Sequence, residues 1–191
     1  MSSGTALGLS TINGLPAHVL LVHLVVVFVP LSGIVLIVAA VRDSAARRLG
    51  IWLPLLAAVA FLSVLAAMNA GGWLQSHVAN TALVRKHTQI AGQLWPFSAA
   101  VLLLALVVWW RRGRTQNMGA DAPADAARSG WRALAPLDAV VLVACVVIAA
   151  GSIVEVYRIG DSGSRAAWHN HFSAAATAER PIAHAALGRN D

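Results

Sequence analysis

The sequence predicts an all-α integral membrane protein, a four-helix up-down-up-down bundle, and three observations carry that prediction. Four apolar runs begin near Pro16, Ile51, Gln89 and Pro136. Each is long enough to cross the roughly 30 Å hydrocarbon core at about 1.5 Å per residue, with its backbone groups bonded within the segment. Charge is scarce: hydrophobic residues make up 58% of the 191 and charged residues 12%, too few to clothe a water-soluble surface around those runs. The basic residues gather at alternate connections, which orients the helices.

The first helix is expected over about 16–41, opening at Pro16, where a first-turn proline is tolerated, and kinked at Pro30. Residues 1–15 hold no Lys or Arg, so the run reads as an uncleaved helix rather than a secretory signal. The second, about 51–72, opens with Trp52 and Pro54 and closes on Gly71 and Gly72. The third, about 84–110, carries a kink at Trp95-Pro96 and stops at Arg111-Arg112; the fourth spans about 136–157. Between these two, the Gly-, Ala-, Asp- and Arg-rich stretch 111–132 has no apolar period and predicts a solvated loop. Together these form a transmembrane domain at 16–158, flanked by tails at 1–15 and 159–191, the latter Ala-rich and without a burial signal from Ser173 onward.

Arg42, Arg47 and Arg48 follow the first helix, and Arg111, Arg112, Arg114, Arg128 and Arg132 follow the third. The opposite side offers Arg85 and Lys86, then Arg158, Arg165, Arg180 and Arg189, mostly far from a helix end. Basic residues favour the cytoplasmic side, so both termini are expected outside the cytoplasm. Trp52, Trp109, Trp110 and Trp131 then fall near the inner interface and Trp73 and Trp168 near the outer one. Small residues such as Ala57, Ala60, Ala67, Ala149 and Gly151 allow close helix packing.

The formal charge of +6 does not point to nucleic acid, because the 14 Lys and Arg residues flank apolar runs and form no dense or aromatic-interleaved patch. The single cysteine, Cys145, lies inside the fourth run and reads as a small apolar residue. No Gly-rich phosphate loop, HExxH helix, nucleophile elbow or paired-cysteine motif is present, so no enzyme class is read.

The residues with chemistry are histidines: His18, His23, His77, His87, His169, His171 and His184 all fall on or near the predicted outer side. In LPAHVLLVH, five positions separate His18 from His23, a rotation of about 140° on a helix, so the two look in different directions. His23 lies deeper, where an imidazole needs a partner. His87 opens the third helix, Glu155 lies near the outer end of the fourth and Asn69 near that of the second, so a bundle is expected to bring them towards His23. Three uses compete: hydrogen bonds between helices that fix the packing; ligation of haem b, copper or zinc; and a proton relay or pH-responsive switch. For a cofactor the candidate ligands are His23, His87 and His18, and for a metal ion His23, His87 and Glu155, drawn from the same cluster. The pair His169 and His171 lacks further ligands at a recognisable spacing and reads as a surface coincidence.

Three stretches, GLPAHVLLVH, GGWLQSHVANTALVRKHTQIAGQLWP and VYRIGDSGSRAAW, resemble the bacterial domain-of-unknown-function 2231 family over residues 14–168. His18, His23 and His87 match its histidines. Val19 stands where the family usually has proline, Leu24 where it often has phenylalanine, and Asp161 where it often has histidine. The resemblance implies a four-helix protein of the bacterial cytoplasmic membrane and brings no activity with it. The chain is therefore expected to be a multi-pass accessory or scaffold subunit of a membrane assembly, with the bilayer and other membrane subunits as partners. A small cytochrome b-like or metal-binding protein, and a proton relay, are the alternatives.

Overall fold

The computed structural model describes residues 11–12, 15–119 and 124–168, with side chains over 16–114 and 137–168. Two short strands, β1 (Thr11–Ile12) and β2 (Leu15–Pro16), pair antiparallel ahead of the first helix. Everything else that is regular is helical: α1 (Ala17–Val41), α2 (Asp43–Leu49), α3 (Trp52–Gln75), α4 (Ala82–Ala91), α5 (Leu94–Gly119) and α6 (Ala124–Trp168).

Among the described residues, four segments are long and apolar enough to cross a membrane: Ala17–Val41, Trp52–Gln75, Ala82–Arg114 and Leu137–Trp168. In none is more than 44% of the most apolar window buried inside the protein. Most of each span turns its Val, Leu and Ile side chains outward, an arrangement that hydrocarbon accommodates and water would penalise.

The breaks between helices have local causes. Arg42 is extended (φ −115°, ψ 110°) and ends α1. Gly50 adopts φ 48° at the end of α2, a left-handed conformation that costs glycine little, and turns the chain into α3. Thr81 caps α4, its side chain accepting from the Val84 N–H at 3.2 Å. The third span is interrupted between α4 and α5 at Gly92 and Gln93, four and three residues before Pro96. Proline has no N–H to offer the carbonyl a turn earlier, and the ladder lapses there. Pro30, by contrast, lies within an uninterrupted α1.

The stretch between the third and fourth spans differs from its sequence reading. Its backbone is helical at 111–119 and again from Ala124, so α5 and α6 both run well past their apolar segments. Alanine and arginine are strong helix formers, and polarity alone does not unwind a helix that already has a nucleus in the span.

Packing divides into two apolar clusters. One joins Leu36 and Ala39 of α1, Ala46 of α2, Leu53 and Ala57 of α3, Val101, Ala105 and Val108 of α5, and Cys145 of α6. The other joins Val25 and Val29 of α1, Ala60, Val64 and Ala67 of α3, Leu94 of α5 and Val156 of α6. Between them in sequence lie the buried Ser32, Ser98 and Ser152, with Ser63 close by on α3. Each hydroxyl donates to the carbonyl three residues earlier on its own helix, at 2.7–2.9 Å. These serines keep the core narrow without demanding a partner across the interface.

Close approach relies on missing side chains. A Cβ on Gly33 of α1 would stand 3.2 Å from the Ala149 Cβ of α6, and one on Gly151 would stand 2.6 Å from the Phe97 ring. At the end where α5 leaves its span, Arg111 bonds Asp138 of α6 at 2.6 Å. Arg112 pairs with Asp43 of α2 and also reaches the Ala40 carbonyl of α1. Arg114 lies 3.9 Å over the Trp110 ring.

Candidate functional site

The opposite end carries the histidines. His18 sits in the first turn of α1, and its Nδ1 lies 2.9 Å from the Ala67 carbonyl of α3. A carbonyl only accepts, so Nδ1 carries the proton and Nε2 keeps its lone pair. The ring packs flat enough on α3 that a Cβ on Gly71 would come within 3.0 Å of Cε1 and Nδ1.

His87 of α4 is built the same way on α6. Its Nδ1 lies 3.0 Å from Ser162 Oγ, while Ser162 donates its single hydroxyl hydrogen to the Ile159 carbonyl at 2.9 Å. The serine oxygen therefore accepts, and His87 also holds its proton on Nδ1. Gly163 provides the seat, since a Cβ there would stand 3.1 Å from His87 Cε1. In neither does Nε2 form a hydrogen bond among the described residues.

Glu155 lies on the same face of α6 as Ser162, two turns away, a rise of roughly 10 Å. It is 6% exposed. Oε1 accepts from Arg158 at 2.6 Å, and Oε2 has no hydrogen-bond partner among the described residues. Glu155 is the one buried side chain among the described residues with an oxygen left unsatisfied. A buried acceptor without a partner is costly.

The other candidates are placed differently. His23 is exposed on the outward face of α1, and its Nδ1 bonds back to the Val19 carbonyl of the same helix at 2.7 Å. Its rotation of about 140° from His18 takes it away from the neighbouring helices. Asn69 is exposed on α3 and does not join the cluster. His77 stacks on Trp73, ring centroids 4.1 Å apart, with Nδ1 2.8 Å from the Trp73 carbonyl. His169, His171 and His184 lie outside the described residues.

Among the described residues, no three His, Cys, Asp or Glu side chains gather closely enough to hold a metal ion. The expected grouping of His23, His87 and Glu155 around one ion is not formed, because His23 turns outward. What the fold does show is His18 and His87 each bonded through Nδ1 to a neighbouring helix, with the Glu155–Arg158 pair two turns along α6 from Ser162.

The residues that sequence reasoning missed are Ser162, Arg158 and the glycine seats, Gly71 and Gly163. A signal was available: Arg158, Ser162 and Gly163 all fall in VYRIGDSGSRAAW, and Gly71 opens GGWLQSH. The family described as "Predicted membrane protein (DUF2231)" matches residues 14–176. The chain belongs to that family. Neither a curated protein nor a solved structure matches it. The DUF2231 assignment and the four spans agree on a multi-pass membrane protein and leave its activity to the site.

His18 and His87 each tie two helices together, whereas His23 bonds only its own helix. Replacing His18 or Ser162 with alanine is expected to lower stability by about 1 kcal/mol each. His23→Ala should leave it nearly unchanged. Denaturant unfolding in detergent micelles, followed by tryptophan fluorescence, measures all three.

Proposed function

We propose that this DUF2231 protein is a proton-responsive component of a membrane assembly, with Glu155 as the group that changes charge. The observation that carries the reading is the buried carboxylate itself, held by Arg158 through one oxygen and unsatisfied at the other. A carboxylate buried with one oxygen on Arg158 and the other without a partner among the described residues is the group at this end with most to gain from a further donor.

The charged and titratable groups at this end come from three helices. α6 itself supplies Tyr157, Arg158, which contacts Glu155, Asp161 and Arg165; α4 supplies Arg85, Lys86 and His87; α1 supplies His18 and, on its outward side, His23. α3 carries no ionisable side chain, and those described on α5 lie at its far end, Arg111 to Arg114.

Difference infrared spectroscopy of reconstituted protein tests this. Acidification should bring up the band of a protonated carboxyl that is missing in Glu155→Gln. Identical titrations for the wild type and Glu155→Gln would overturn the reading.

In an accessory role within a larger assembly, another subunit would seat on this outward-facing apolar surface in place of lipid, for example over Leu62, Leu103, Val140 and Val143. Crosslinking in native membranes should then yield a defined heteromeric product; monomer alone would count against it.

The alternation of helix ends between the two core clusters supports an up-down-up-down bundle, and the weight of basic residues supports the arginine-bearing end facing the cytoplasm of a bacterial inner membrane. A Cβ at Gly113 or at Gly160 meets nothing within 4 Å, so cysteine is accommodated at either. A membrane-impermeant thiol reagent applied to intact cells should label Gly160→Cys and spare Gly113→Cys; the reverse pattern would invert the topology.

A further inference from the structure

We propose that the groove between α4 and α6 at the histidine end holds the phosphodiester headgroup of an anionic phospholipid. It is an open groove of about 390 Å³ with Lys86, Arg158 and Arg165 around it and Leu83 and Ile90 along one wall. This goes beyond proton response and does not depend on it.

Charge is the first argument. Asp161 lines the groove and Glu155 lies behind Arg158, so three cations face two carboxylates and one positive charge is left over. Lys86 has no ion-pair or hydrogen-bond partner among the described residues. Arg158 gives only an NH1 hydrogen to Glu155, and Arg165 only its Nε hydrogen to Asp161. Each guanidinium therefore keeps N–H donors that no described residue uses, and a guanidinium is well shaped for two oxygens of one phosphate.

Spacing is the second. Leu83, Lys86 and Ile90 fall three and four residues apart and share one face of α4, which sets a cation between two apolar side chains. Arg158 and Arg165 are seven residues apart on one face of α6, with Ser162 between them. Tyr157 lines the groove and is 75% exposed, its ring placed where an amphipathic aromatic meets headgroups.

Position is the third. The groove lies where the third span begins and the fourth ends, so in a bilayer it opens at headgroup level rather than into bulk water. A free inorganic anion has no use for the Leu83 and Ile90 wall, whereas a phospholipid carries acyl chains to lay along it.

Protein purified in mild detergent and offered equal amounts of phosphatidylglycerol and phosphatidylcholine should retain the former, read by native mass spectrometry. Lys86→Ala should lower that preference about fivefold, the effect of one surface charge on anionic-lipid attraction. Lys86 is exposed, so the variant is expected to fold, and Arg47→Ala on exposed α2 serves as the matched loss of charge elsewhere with the preference intact. Leu83→Gln together with Ile90→Gln should weaken retention of the lipid while millimolar inorganic phosphate fails to displace it. Equal retention of the two lipids, or equal loss in Lys86→Ala and Arg47→Ala, would overturn the proposal. Displacement by phosphate would also overturn it, by assigning the groove to a free anion.

Discussion

Hydrocarbon offers no hydrogen bonds, so each donor and acceptor inside a span must be satisfied by the protein itself. Ser32, Ser63, Ser98 and Ser152 answer that demand locally, each bonding to a carbonyl three residues earlier on its own helix. His18 and His87 answer it across helices, each giving its Nδ1 proton to an oxygen on a neighbour. The clusters of Ala, Val and Leu on either side of the serines carry no polar group that needs an answer.

Glycine and alanine set how near the helices come, and that nearness is what makes the imidazole contacts feasible. Gly33 lies against Ala149, Gly71 beneath His18, and Gly163 beneath His87. Lipid gives helices no hydrophobic reason to associate, so surface complementarity and these few interhelical bonds hold the packing. A methyl group at either histidine seat would crowd the ring, which would have to give by a few tenths of an ångström against the helix that holds its acceptor.

Against that background the unsatisfied oxygen of Glu155 is the departure from the rule, and it occurs beside the groove where cations collect. Arg158 belongs to both settings: one hydrogen holds Glu155, and the others face the groove. Arg158 therefore stands between the buried carboxylate and the groove, in contact with the one and lining the other.

The sequence by itself determined the spans, because hydropathy over some 20 residues is a local sum that needs no knowledge of neighbours. It also determined that His18 and His23 diverge, since helical rotation over five residues is fixed by backbone geometry. The cap at Thr81, which begins the third span a little earlier than expected, and the helical backbone beyond Arg111 depend on local bonding that apolar periodicity does not register. Only the tertiary structure decided which histidine meets which oxygen. His18 finds its acceptor 49 residues away and His87 finds Ser162 at a separation of 75. Partners so distant in the chain are chosen by which faces two helices turn to each other, and that choice is made by the small residues where they touch rather than by the histidines themselves.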